Sequence, residues 1–139
     1  MVKNIPVSKN NNSKVAIIAI HGWKGNLSSM EHVANALNIN YAQWTFIQGP
    51  YTAGDNKYSW FERSEENRWK YQESFDLLHK TILDINQNGF PKSKIFLLGF
   101  SQGACLAMEF IIRQKFSIGG IIPIAGFIGK KDRFKSGIV

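Results

Sequence analysis

At 139 residues, 44% of them hydrophobic and 13% aromatic, the chain holds one domain at most, is long enough to bury a core, and is too apolar for a disordered segment. Seventeen Lys and Arg against ten Asp and Glu leave a formal charge of +7, yet no zinc finger, recognition helix or other nucleic-acid module accompanies it. No specific nucleic-acid partner is therefore expected, and a basic surface accounts for the charge. Cys105 is the only cysteine, which excludes an internal disulfide and a cysteine-based zinc cluster.

Residues 1–14 read as a polar lead-in with at most one short strand, ahead of a single domain over 15–139. The stretch Ser8 to Lys14 is polar where a signal peptide needs apolar residues, and the first apolar run is too short to span a membrane. No transmembrane segment and a cytoplasmic location are expected. Val15 to Ile20 is that run, continuous and rich in β-branched residues, as in a strand buried on both faces. His21-Gly22-Trp23-Lys24-Gly25 breaks it. Ser28 and Glu31 have capping-box spacing before a helix whose Met30, Val33, Ala34 and Leu37 share one face. Trp44 to Ile47 is the next strand. Strand, glycine loop, helix, strand implies a parallel sheet with right-handed crossovers.

Gln48 to Glu66 reads as a long loop rich in glycine and aromatics, of a length that usually serves a site. Tyr71, Phe75, Leu78, Ile82 and Ile85 then mark an amphipathic helix that ends at Gly89-Phe90-Pro91. Next comes the stretch with most chemical content. An apolar strand, Ile95 to Leu98, enters Gly99-Phe100-Ser101-Gln102-Gly103 and leaves as a helix over Ala104 to Lys115, apolar almost all round, with Glu109 and Arg113 paired on its exposed strip. Gly-x-Ser-x-Gly between strand and helix is the pattern of a nucleophile elbow. Small flanking residues allow a strained turn that lifts the serine hydroxyl out of the sheet and leaves the Gln102 N–H at a helix N-terminus. Gly119 to Gly126 gives one more strand before a basic tail.

These pieces resemble the α/β-hydrolase superfamily, and within it the phospholipase/carboxylesterase branch of acyl-protein thioesterases and dienelactone hydrolases. His21-Gly22, the Trp60-Phe61 pair and Gly99 to Ala104, in that order, carry the resemblance. It implies a three-layer α/β fold, a mostly parallel sheet with helices on both faces. It further implies Ser101 as nucleophile, the backbone N–H groups of Trp23 and Gln102 as oxyanion hole, and Trp60 and Phe61 as pocket wall. The matching histidine of the family holds the loop, so His21 is expected to be structural. The substrate implied is a small carboxylic ester or thioester; no metal or organic cofactor is implied.

The fold's triad runs Ser, Asp, His along the chain, and no histidine follows Ser101. Asp132 is the only later aspartate and arrives one strand too early for the acid. Neither triad acid nor triad histidine is identifiable, and the chain reads as the N-terminal two-thirds of a hydrolase whose C-terminal strands are missing. The alternative is a catalytically inactive fragment or a basic-surfaced binding module. Oligomeric state is not legible.

Overall fold

A β-branched run buried on both faces belongs at the centre of a sheet, and Val15–Ile20 lies there. The computed structural model describes the backbone of residues 2–5 and the whole of residues 13–127. The elements in chain order are β1 (Val2–Ile5), β2 (Val15–Ile20), α1 (Glu31–Leu37), β3 (Ala42–Ile47), β4 (Tyr51–Gly54), β5 (Lys57–Ser59), β6 (Glu62–Arg63), β7 (Trp69–Lys70), α2 (Gln72–Gln87), β8 (Ile95–Phe100), α3 (Gln102–Gln114) and β9 (Gly120–Ile124). The main sheet has the order β1-β3-β2-β8-β9, parallel except for β1, which pairs antiparallel with β3.

The period of two along β2 divides the molecule into layers. Ala16, Ile18 and Ile20 join Phe75, Leu78, Ile82 and Ile85 of α2 and Leu106 and Phe110 of α3 in one core. Ile17 and Ala19 face the other way, onto Ala34 of α1 and Met30 at its start, with Trp44, Phe46 and Leu98. This is the expected three-layer arrangement with helices on both faces of a mostly parallel sheet.

Four local expectations are corrected. No side chain caps α1: the Ser28 carbonyl, not its hydroxyl, accepts the Glu31 N–H, and Met30 is the N-cap. Leu37, assigned to the buried face of that helix, is 47% exposed, because α1 ends there in a left-handed Asn38. The supposed loop from Gln48 contains two hairpins, β4–β5 and β6–β7. The first turns through Asp55 and Asn56, with Gly54 at φ 134° and Asn56 at φ 49°, conformations that glycine and asparagine adopt at least cost. Glu109 is buried, because Arg113 on the next turn of α3 extends along it with Nε 3.8 Å from the carboxylate.

Among the described residues β9 is the edge strand on one side of the sheet, and Pro123 sits in it at a position paired with Gly99. Ile122, Ile124 and Phe127 are exposed at this edge. Among the described residues no helix is long and apolar enough to cross a membrane.

Candidate active site

The turn from β8 into α3 is built by close backbone packing. A Cβ on Gly99 would lie 2.5 Å from the backbone of Gly103 and Ala104, and one on Gly103 would lie 2.3 Å from the carbonyl oxygen of Ile20. Between them Ser101 takes φ 52° and ψ −112°, a region that residues with a Cβ avoid. Its N–H donates to the Ile124 carbonyl at 2.8 Å and its carbonyl accepts the Cys105 N–H at 3.1 Å, so both backbone groups hold the turn. Among the described residues the Ser101 hydroxyl has no hydrogen-bond partner.

The strain at Ser101 has a measurable counterpart. Ser101→Gly is expected to raise stability by about 1 kcal/mol, since a disfavoured φ costs roughly 1–3 kcal/mol and glycine returns part of that as unfolded-chain entropy. A urea-unfolding midpoint above that of the native chain is the expected observation.

The loop after β2 lies beside this turn. A Cβ on Gly22 would come within 3.1 Å of the Phe100 ring and 3.3 Å of the Phe100 carbonyl oxygen. The loop is fixed from behind by the β4–β5 hairpin: Lys24 N–H donates to Tyr58 O at 2.8 Å and Tyr58 N–H to Gly25 O at 3.0 Å. Trp23 sends its side chain outward, 61% exposed, with the Lys24 ammonium 4.3 Å from its ring centroid. Any role in binding an oxyanion therefore belongs to the Trp23 backbone N–H. Among the described residues neither that N–H nor the Gln102 N–H has an acceptor, and the latter opens α3, where the helix dipole favours negative charge. A cavity of about 270 Å³ adjoins the loop, lined by Trp23, Met30, Val33 and Phe100 with Lys24 and His32 among its polar residues.

His21 is fully buried. Its Nδ1 lies 2.6 Å from the Gly22 carbonyl, which can only accept, and its Nε2 receives the Gly49 N–H at 3.0 Å. Those partners assign the neutral tautomer protonated at Nδ1. Burial lowers its pKa below the ordinary 6.5, against a smaller opposing pull from the Gly22 carbonyl. With both nitrogens engaged by backbone, His21 holds the loop. His32 on α1 and His79 on α2 are exposed, the latter with its ring edge-on to Phe116.

The Trp60-Phe61 pair divides. Trp60 is fully buried. Its indole N–H donates to His21 O at 2.7 Å, its ring lies 4.8 Å from the His21 ring, and its carbonyl accepts the Ser74 hydroxyl at 2.7 Å. Phe61 is half-buried and lines a separate cavity.

One connection has no counterpart in the sequence motif. The Gln102 side chain accepts the Trp60 N–H at 2.9 Å and donates to Ser59 Oγ at 3.0 Å, and Ser59 donates on to Phe61 O at 2.6 Å. Gln48 likewise accepts the Leu27 N–H at 3.1 Å and steadies the chain leading into α1. A glutamine between serine and glycine signals nothing by itself; only the fold reveals that it clamps the hairpin to the elbow. Asp132 lies outside the described residues.

Residues 3–139 match the phospholipase/carboxylesterase family, to which the chain belongs. It is similar to an acyl-protein thioesterase 1 of Debaryomyces hansenii, 27% identical over 140 residues covering 86% of this chain and 60% of that one. The mouse lysophospholipase-like protein 1 is 28% identical over 140 residues, covering 89% and 59%. The crystal structure of a phospholipase/carboxylesterase from Dyadobacter fermentans superposes with a TM-score of 0.68 at 26% identity, covering 92% of this chain and 59% of that chain. The chain thus spans about 60% of the length of these relatives.

Proposed function

We propose that this chain forms the nucleophile and oxyanion half of a serine hydrolase that cleaves carboxylic esters or thioesters. The observation that carries the reading is Ser101 itself: a strained residue, held by two glycines that admit no Cβ, with a hydroxyl that makes no hydrogen bond among the described residues. Strain maintained without structural return is the mark of a functional position. The relative named acyl-protein thioesterase 1 acts, by that name, on acyl thioesters, and the phospholipase/carboxylesterase family is named for ester cleavage; both support the same bond class here.

In the proposed reaction Ser101 Oγ attacks the acyl carbon, and the carbonyl electron pair moves to oxygen. The N–H groups of Trp23 and Gln102 receive that oxyanion, an interaction worth roughly 3 kcal/mol per donor. Collapse expels the alkoxide or thiolate and leaves an acyl-serine, which water then cleaves. The serine proton needs a base. His21 has both nitrogens committed, and His32 and His79 are exposed on helices with no hydrogen bond to Ser101, so no histidine of residues 13–127 fills that role.

The test is labelling of the 139-residue chain with a fluorophosphonate, read by intact mass and peptide mapping. Labelling is expected at Ser101 only, roughly a millionfold slower than in an enzyme with an intact triad, and without an inflection near pH 6.5. Unchanged labelling of Ser101→Ala overturns the nucleophile. Rapid labelling that His21→Asn abolishes overturns the reading of His21 as a loop anchor.

A further inference from the structure

Away from the elbow, residues of the β6–β7 hairpin and of α3 line a cavity of about 310 Å³. The rings of Phe61, Trp69 and Tyr71 form part of its lining, and Arg63, Arg68 and Arg113 supply the charge, with the buried carboxylate of Glu109 beneath. Like charges on a solvated surface ordinarily spread apart, because convergence costs Coulomb energy. Here three line one cavity, Arg63 on β6, Arg68 in the turn that follows it and Arg113 on α3.

Two of the three guanidinium groups are already held in place. Arg63 lies 4.4 Å from the Trp69 ring centroid and donates to the Asn67 carbonyl and side-chain oxygens. Arg113 lies 5.1 Å from the Tyr71 ring centroid and donates from Nη1 to the Tyr71 hydroxyl at 3.2 Å. Neutralisation is incomplete. Glu109 stands 3.8 Å from Arg113 Nε, and Arg68 meets Glu66 at 3.7 Å with both side chains at least three-quarters exposed, a pairing that contributes little. Among the described residues no carboxylate lies within ion-pair distance of Arg63.

We infer that this cavity binds a small organic phosphate. A planar carboxylate is satisfied by one guanidinium fork, whereas a phosphate offers oxygens in several directions and suits forks arriving from a hairpin strand, its turn and a helix. The aromatic walls take the apolar body attached to the phosphate, and the stacked arginines lose little further freedom on binding. The inference stands on residues apart from Ser101 and does not depend on the hydrolase reading.

The experiment titrates the 139-residue chain at physiological ionic strength with phenyl phosphate, inorganic phosphate and phenol, following tryptophan fluorescence and the arginine side-chain Nε–H resonances. Phenyl phosphate is expected to bind at least about tenfold more tightly than either fragment, with shifts at Arg63 and Arg113. Arg63→Gln should weaken binding about tenfold. Arg63→Lys, which keeps the charge and loses the fork, should weaken it about threefold, and Lys94→Gln, outside the cavity, less than twofold. Equal losses for Lys94→Gln and Arg63→Gln would reduce the effect to diffuse attraction by a basic surface and overturn the site. Inorganic phosphate binding as tightly as phenyl phosphate overturns the organic ligand; phenol doing so overturns the phosphate.

Discussion

Gly103→Ala is expected to destabilise the domain by about 3 kcal/mol or more, while Gly120→Ala changes stability by less than about 0.5 kcal/mol. Both add one methyl group. At Gly103 it would lie 2.3 Å from Ile20 O and 2.5 Å from His21 O, rigid backbone at the C-terminal end of the central strand. Relief requires α3 to move away from β2, opening contacts made by Leu106, Ala107 and Phe110, all fully buried. At Gly120 the nearest atoms are those of the Phe96 ring at 3.4 Å, an ordinary contact. Urea unfolding of the two variants measures the difference. A Gly103→Ala chain as stable as the native one would show that α3 does not depend on contact with β2, and with that the positional argument for Ser101 would fail.

The parts legible in sequence are those whose cause is local. Val15 to Ile20 is continuous and β-branched and became the central strand; Phe75, Leu78, Ile82 and Ile85 recur at helical spacing and are the buried residues of α2. The Gly99 to Gly103 stretch is legible for the same reason: strand, glycines and helix are neighbours in the chain. What escaped depends on partners distant in sequence. The β4–β5 hairpin comprises segments of four and three residues, too short for a periodic signal, and is held by Gly25 and Lys24 about thirty positions earlier. The capping-box spacing of Ser28 and Glu31 was overridden because Asn26 takes the Ser28 N–H at 2.9 Å and builds a turn of its own ahead of the helix.

The site divides along the same line. That Ser101 lies in a tight turn beside the Gly22 loop follows from the motif and the βαβ topology. That Trp60 is buried beneath the loop, and Phe61 turned to another cavity, rests on the Gln102 clamp, forty-two positions from Trp60 in the chain. An aromatic pair in sequence carries no record of which ring will be covered.

His21→Ala is expected to cost about 3–5 kcal/mol at pH 7.5, lowering the melting temperature by roughly 10–20 °C. Three losses combine. The Gly49 N–H and the Gly22 carbonyl each lose a partner, the bonds of 3.0 Å and 2.6 Å, the first of them buried and the second partly so. The ring contact with Trp60 at 4.8 Å also goes, leaving a cavity beside a residue with no exposure of its own. The loss is expected to shrink in acid. Burial holds the folded-state pKa of His21 below the unfolded value near 6.5, so between those two pKa values the unfolded chain binds the proton that the folded chain refuses. Stability contributed by neutral His21 is therefore complete above pH 6.5 and falls as the pH drops toward the folded pKa, by at most about 1.4 kcal/mol per pH unit. The alanine variant lacks this term. The difference in unfolding free energy between native and variant chains should accordingly be largest at pH 7.5 and smaller at pH 5.5, with no change between pH 7 and 8. A difference that grows in acid would mean that His21 is held in its charged form, contrary to the tautomer its two backbone partners assign.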